Sequence, residues 1–253
     1  MVKRIEPSPK DLFHLEKLRE FRDNSNSPQP KNYKNMVVLK PWGYEYLIFE
    51  NEFVATWFLH IKSGHSTSMH CHPQKKTSLI LLSGNALCNT FEKRFYLNAM
   101  DAIILGKTVF HSTKALSPGG IDLIEIETPP DKTDLVRMND LYGRQKEGYE
   151  GLTEMCSNNL SDFNYFYFDT PKSGETFFQN SEYFQITLEG YNSSNVLPIK
   201  IKNDALYSLF KGQLSDKEGN VILEIGDTVS GGGLSHNRDI RGNEYTVLLK
   251  VRE

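Results

Sequence analysis

Short apolar runs, separated by Gly, Pro, Asn or Ser, recur along most of the chain. They are rich in β-branched and aromatic residues, which is typical of β-strands, and their spacing is typical of a sandwich or a barrel. We therefore expect an all-β protein. The runs that predict strands are 37–39, 46–49, 55–61, 78–82, 102–105, 121–127, 165–168, 183–188, 206–212, 221–227 and 245–251.

One stretch before the strands has the period of a helix. Ser8 suits the cap and Pro9 the first turn, and apolar residues follow at positions 12, 15, 18 and 21. A polar segment interrupted by proline comes next. This pattern predicts one short amphipathic helix and an arm, together spanning residues 1–35.

A polar, glycine-bearing break divides the strand pattern in two. It lies after Arg144, and a chain of 253 residues is long enough for two small domains. We expect one domain at 36–150 and a second at 160–253.

Charge and composition exclude several function classes. The net charge is -3, and no block of lysines and arginines stands out, so we expect no nucleic-acid partner. No run has the length of a signal peptide core or of a membrane span, so we expect a soluble protein without a membrane partner. The 3 cysteines form no paired framework and no Cys-x-x-Cys signature, which fits a reducing compartment, and we expect a cytoplasmic protein. Its ligand is expected to be a small molecule.

Three histidines have the spacing of a metal site built on two strands. Side chains two positions apart share one face of a strand, so His70 and His72 can contact one ion, and His111 can be the third donor. The pattern predicts one divalent metal, and zinc, iron, nickel and manganese stay open. The alternative is a strand whose histidines are solvated or hydrogen-bonded.

The segments around these histidines resemble the two motifs of the cupin family. Residues 64–84 read G-x5-H-x-H-x4-T-x6-G, and Thr77 stands where the family usually has a glutamate. Residues 97–111 resemble the second motif, with Gly106 in place of proline and Thr108 in place of glycine. The resemblance implies a small β-barrel that holds one metal, here through three histidines and no motif carboxylate.

The second half of the chain resembles a degenerate second cupin. Segments 206–212 and 221–227 have the strand pattern, but the only candidate ligand nearby is His236, which is more simply a turn residue. The fold class that we predict is therefore an all-β bicupin, with two double-stranded β-helix (jelly-roll) barrels and a short N-terminal helix. The second barrel is expected to be structural.

The flanks of the first barrel resemble the cupin domain of phosphomannose isomerases, the type fused to a mannose-1-phosphate guanylyltransferase. The matching segments are Lys-Pro-Trp-Gly-Tyr-Glu at 40–45 and the segment 134–144. The resemblance implies a metal-assisted isomerisation of a sugar phosphate, in which Lys40, Arg137 and Arg144 bind the substrate. Either arginine could instead form a structural ion pair with Asp134 or Asp140.

The missing motif glutamate leaves the chemistry open. Gln74 or Glu127 could complete the metal shell, and Lys75, Lys76 or Glu127 is expected to act as the acid or base. The alternative for the lysines is a solvated turn. We expect an isomerase or epimerase acting on a phosphorylated or nucleotide-linked sugar. Two rivals are a three-histidine iron dioxygenase and a non-catalytic sugar-binding cupin. By family analogy we also expect a homodimer.

Overall fold

The computed structural model describes residues 1–19, 28–144, 147–192, 199–235, 240–242 and 245–253. Within these ranges the regular structure is almost entirely β-strand, so the predicted all-β class is confirmed. No helix in the described ranges is both long enough and apolar enough to cross a bilayer.

In the part that the structure describes, the N-terminal unit contains thirteen strands and one α-helix. Their bounds are β1 Val2–Ile5, α1 Pro9–Arg19, β2 Val37–Lys40, β3 Gly43–Glu50, β4 Ala55–Ile61, β5 Met69–Cys71, β6 Lys76–Ser83, β7 Asn85–Thr90, β8 Arg94–Asn98, β9 Ala102–Leu105, β10 His111–Ala115, β11 Ile121–Thr128, β12 Val136–Asn139 and β13 Met155–Cys156.

Two sheets of this unit face each other and form a barrel. The eight-stranded sheet has the order β1-β9-β6-β11-β4-β3-β2-β13, and the five-stranded sheet has the order β12-β5-β10-β7-β8. Trp57, Leu79 and Leu123 of the first sheet share one buried cluster with Cys88 and Leu97 of the second. Because strand side chains alternate between faces, the alternate residues of β4, β6 and β11 point to this interior. A small β-barrel is the fold that the resemblance of residues 64–84 and 97–111 to the cupin motifs implies.

The N-terminal helix is fastened to the barrel beside the third histidine. Asp11 caps the helix reciprocally with Ser8, since its amide donates to Ser8 Oγ at 3.3 Å and its Oδ2 accepts from the Ser8 amide at 2.7 Å. Its other oxygen accepts from the amide of Phe110 at 2.8 Å. Leu15 packs in the same small cluster as Phe110. Leu12 is 54% exposed, so the apolar stripe of the helix is narrower than the sequence pattern predicts.

The described residues of the C-terminal part add eight further strands and one short α-helix, with 3-10 turns at Leu152–Glu154 and Leu160–Phe163. The bounds are β14 Thr176–Asn180, β15 Gln185–Tyr191, β16 Leu206–Lys211, β17 Leu214–Ser215, β18 Val221–Leu223, β19 Thr228–Ser230, α2 Gly231–Leu234, β20 Arg241–Gly242 and β21 Thr246–Arg252.

These strands form a five-stranded sheet, β14-β15-β21-β16-β19, and a three-stranded sheet, β18-β17-β20. A third cluster, which includes Leu209, Leu214 and Leu248, packs between them. That this unit is a second barrel of the same type stays a prediction. His236 lies outside the described residues.

The two units share one apolar interface. Ile80 and Ile124, on the outer face of the eight-stranded sheet, belong to the same buried cluster as Phe210 and Leu249 of the five-stranded C-terminal sheet. Gly226 lies close against the N-terminal unit: its φ is +79°, and a Cβ there would lie 1.8 Å from Thr128 Oγ1. Any larger residue at this position would therefore push the units apart.

Candidate metal centre

Strand pairing brings the three predicted histidines together. His70 lies on β5 and His72 follows it, while His111 opens β10 directly opposite His70 in the antiparallel ladder. The ring centroids of His70 and His111 are 4.4 Å apart, and those of His70 and His72 are 5.0 Å apart. One ligand atom from each of the three rings lies within 4.8 Å of the other two. This spacing fits a single ion.

Backbone carbonyls fix how the three rings are turned. The Nδ1 atom of His70 lies 2.8 Å from the Ser68 carbonyl oxygen, and the Nδ1 atom of His72 lies 2.6 Å from the Asp134 carbonyl oxygen. The Nδ1 atom of His111 lies 3.0 Å from the Val109 carbonyl oxygen. A carbonyl only accepts, so each Nδ1 must carry the hydrogen, and each Nε2 keeps its lone pair. The Nε2 of His72 is buried and has no hydrogen-bond partner among the described residues. These are the tautomers that leave Nε2 available to a metal.

Burial keeps the rings of His70 and His111 neutral. It lowers the pKa of His111 to about 4, and the neighbouring His72 adds to the effect. Burial also lowers the pKa of His70 well below its usual range, helped by the proximity of His111. Near neutral pH, protons therefore do not compete with a metal for these nitrogens.

A cavity of about 50 Å³ adjoins His70 and His72 inside the barrel. Its wall is unusually rich in charge for a barrel interior. The charged side chains that line it are Lys40, Glu45, Lys75, Glu125, Glu127, Lys132, Arg137, Arg144 and Glu150.

Two of the predicted acid–base residues meet in this wall. Lys75 Nζ lies 2.8 Å from Glu127 Oε1, and Lys132, which sequence reasoning missed, lies 3.2 Å from the same oxygen and 3.1 Å from Glu45. The other oxygen of Glu127, Oε2, is buried and has no hydrogen-bond partner in the described chain. Burial acts to lower the pKa of Lys132, but the carboxylates of Glu127 and Glu45 outweigh it and raise that pKa. Lys132 therefore stays charged.

The three predicted substrate-binding cations converge on one carboxylate instead of open space. Lys40 and Arg144 donate to Glu150, and Arg137 lies 3.0 Å from it. Arg144 also holds Asp140 in two contacts, of 2.9 and 3.1 Å. Burial acts to raise the pKa of Glu150, but Lys40 and Arg137 lower it to about 2.

The structural ion pair that the sequence left open is therefore present for Arg144. Asp134 has another role: its carboxylate accepts from the amides of Gln74 and Lys75, at 2.8 and 3.0 Å, and so shapes the turn after the histidines.

Two predicted site residues are not brought to the centre. The side chain of Gln74 is exposed and does not line the cavity. Lys76 points to the C-terminal unit, where its Nζ lies 2.5 Å from Asp227 and donates to the Ile225 carbonyl at 3.1 Å. The reason is strand alternation on β6, which turns Lys75 inward and Lys76 outward. In the described structure the side chains of Gln74 and Lys76 thus lie away from this cavity.

Glu125 is the site residue that sequence reasoning missed. It lies on β11, is 7% exposed and lines the cavity, and its Oε1 is 3.7 Å from His72 Nε2. Burial acts to raise the pKa of Glu125, but the neighbouring His72 and the more distant charge of Lys132 hold that pKa below its ordinary value. The signal was present in the sequence, since two residues that are two apart on a strand, here Glu125 and Glu127, share one face.

Comparison with known proteins gives the chain no family. No family model matches it, and no curated protein matches it. Solved structures do align with part of it, at 15–16% identity and a TM-score of 0.35. These likenesses are too distant to carry an argument about this chain.

Three of these structures show how much of each chain aligns. The KdgF protein from Halomonas sp. aligns over 37% of this chain and 85% of its own, at 15% identity. An uncharacterized conserved protein with a double-stranded β-helix domain, from Klebsiella pneumoniae, aligns over 49% and 95%, at 16% identity. An RmlC-like cupin from Shewanella frigidimarina aligns over 43% and 95%, at 15% identity.

Proposed function

We propose that this protein binds one divalent metal through His70, His72 and His111 and acts on a sugar. The reaction we propose is isomerisation or epimerisation of a phosphorylated or nucleotide-linked sugar. The observation that carries the proposal is the convergence of three imidazole rings beside a cavity that also holds the buried Lys75–Glu127 ion pair.

Each group of residues in the cavity has its own role in the proposed reaction. A divalent metal held by the three histidines would polarise a carbonyl or hydroxyl oxygen of the sugar. Glu127 would take a proton from the neighbouring carbon at Oε2, the oxygen that Lys75 and Lys132 leave uncontacted. Lys75, which also donates to the Asp131 carbonyl at 2.8 Å, holds the carboxylate in place.

Phosphate binding at the arginines requires a rearrangement. Arg137 and Arg144 are already held by Glu150, so a phosphate must displace that carboxylate before it can form two-pronged contacts. The phosphate-binding role of these residues and of Lys40 is therefore part of the proposal.

A second candidate is a metal-containing sugar-binding protein without catalysis. One observation favours it: the cations that would hold the phosphate of a substrate are already paired with carboxylates.

The test combines metal analysis with proton exchange. The purified protein should contain one divalent metal per chain, and His72→Ala should lose most of it. His65→Ala is the control, because His65 is engaged by the Ser63 carbonyl and stands outside the three-histidine group. Metal content unaffected by His72→Ala would overturn the site.

Catalysis is tested in D2O with hexose 6-phosphates and nucleotide-linked hexoses. Proton NMR should show deuterium entering the carbon beside the carbonyl, and Glu127→Gln should stop this exchange while the metal is retained. Sugar binding without exchange would favour the non-catalytic candidate. Iron with substrate-dependent oxygen uptake would favour the dioxygenase.

A further inference from the structure

We infer that Glu125 is the carboxylate ligand of the metal centre, and that β11 supplies it in place of the motif position occupied by Thr77. The inference rests on the proposed metal site and extends it by one ligand. It changes the donor set from three neutral imidazoles to three imidazoles and one anion.

The pairing of buried charges points to Glu125. A buried carboxylate is costly unless a cation compensates it. Glu45 has Lys132, Glu127 has Lys75, and Glu150 has two arginines. Across the described ranges, the only basic side chain within ion-pair distance of Glu125 is His72.

His72 cannot compensate this charge in its metal-binding tautomer. Its Nδ1 hydrogen is committed to the Asp134 carbonyl, and the atom that faces Glu125 is Nε2, with its lone pair. A lone pair opposite a carboxylate is unfavourable unless a cation or a proton lies between them. A metal ion held by the histidines would be such a cation.

Distance allows direct ligation. Two ligand atoms bound to one ion at about 2.1 Å can lie up to about 4.2 Å apart, and the Oε1 to Nε2 distance is 3.7 Å. Glu125 stands outside the group whose ligand atoms are all within 4.8 Å of one another, so its side chain must rotate to close on the ion. The adjoining cavity gives it room for that rotation.

The fourth ligand also bears on the metal and its chemistry. A carboxylate lowers the effective charge of the ion, so bound water is less acidic than at a site of three imidazoles. Oxygen donors shift preference toward manganese and iron and away from copper. The isomerase proposal and the dioxygenase alternative are therefore both affected by whether Glu125 binds.

The experiment is a titration of the metal-free protein with Co2+, followed by the visible absorption of the bound ion. Four proteins are compared: unmodified, Glu125→Gln, Glu127→Gln and His72→Ala. Glu125→Gln should weaken Co2+ binding by at least the ~10- to 100-fold that follows loss of an outer partner of a metal ligand, and should change the absorption bands. Glu127→Gln, two residues along the same strand and face, should leave both close to those of the unmodified protein.

Stability of the metal-free variants is a second, independent readout. Glu125→Gln breaks no ion pair with a lysine or an arginine, so the metal-free protein should unfold at a urea concentration close to that of the unmodified protein. Glu127→Gln leaves Lys75 and Lys132 short of a partner and should unfold at a lower one. If Glu125→Gln binds Co2+ weakly but unfolds at a higher urea concentration than Glu127→Gln, a damaged fold does not explain the weaker binding.

The two proposals fail differently. If unmodified protein binds Co2+ and His72→Ala does not, but Glu125→Gln matches the unmodified protein in affinity and bands, the histidine site stands and the inference is overturned. If Glu125→Gln and Glu127→Gln lose affinity equally, the effect is general electrostatics and the inference is also overturned. If the unmodified protein binds no metal, both proposals fall.

Discussion

Glu150 ties three cationic side chains of the cavity wall to one carboxylate. It contacts Lys40, Arg137 and Arg144, and its side chain is 5% exposed. Replacing it with glutamine keeps the size of the side chain and removes the charge. We predict that Glu150→Gln loses about 3 kcal/mol in free energy of unfolding near pH 7, by two routes that agree.

The first route is the cost of breaking a buried ion pair, about 3–5 kcal/mol when one partner is removed. The lower figure applies, because Lys40 keeps Glu45 at 3.3 Å and Arg144 keeps Asp140. The second route is the pKa of Glu150, which the surrounding cations lower from 4.5 to about 2. At about 1.4 kcal/mol per pH unit, that difference again corresponds to about 3 kcal/mol.

The pKa also fixes the pH dependence. The folded-state pKa lies below the unfolded-state value, so the stabilisation is complete above pH 4.5 and is lost as the pH falls toward 2. Urea unfolding followed by tryptophan fluorescence should therefore show the largest difference between the two proteins near pH 7 and a shrinking difference below pH 4.5. A difference under about 1 kcal/mol at pH 7, or one that is equal at all pH values, would refute the reasoning.

A control separates the buried network from ordinary surface pairing. Glu52 pairs with Lys211 at 2.5 Å, but its side chain is 56% exposed. Solvent screens such a pair, so Glu52→Gln should change the free energy of unfolding little. Equal losses in the two variants would mean that burial of Glu150 does not matter.

Three other predictions concern the motif position, the arginines and the quaternary state. Thr77 is buried and pairs across the sheet with Glu127, so Thr77→Glu should destabilise the metal-free protein. In thermal unfolding, Zn2+ should stabilise the Thr77→Glu protein more than it stabilises the unmodified protein. Equal stabilisation of the two proteins by Zn2+ would mean that the new carboxylate does not reach the ion. Arg144→Lys loses its two-pronged contact with Asp140 and should weaken phosphosugar binding more than neutral-sugar binding in calorimetric titrations; equal losses would mean a purely structural role. The expected homodimer should persist in light scattering at micromolar concentrations, and a monomer would contradict it.

Strand alternation explains which parts of the site the sequence could predict. Period-two alternation places His70 and His72 on one face, and the structure has both rings at the centre. The same rule, applied to β6 and β11, separates Lys75 from Lys76 and joins Glu125 to Glu127. The sequence alone could therefore have predicted that Lys75 and Lys76 face opposite ways and that Glu125 lies on the same face as Glu127.

Other parts of the site depend on contacts that no local pattern encodes. Lys132 and Glu45 are far apart in sequence and meet because the segment between β11 and β12 brings Lys132 within 3.1 Å of Glu45 on β3. Glu150 reaches Lys40 across 110 residues. Sequence reasoning identified the cations of this network from a family motif but could not tell that carboxylates already pair with them. Such pairing is a property of the folded barrel, since it requires the sheets to be closed first.

The charge balance of the cavity bears on where an anionic sugar would bind. Its lining has five cationic side chains and four carboxylates, and Asp140, paired with Arg144, supplies a fifth negative charge. The side chains alone are therefore close to neutral, with Glu125 facing the histidines and the other carboxylates facing lysines or arginines. A divalent ion at the histidines would bring the whole surplus of positive charge to one end of the cavity. An anionic oxygen of the sugar would then be attracted to that end, while a phosphate group would reach the arginines by displacing Glu150.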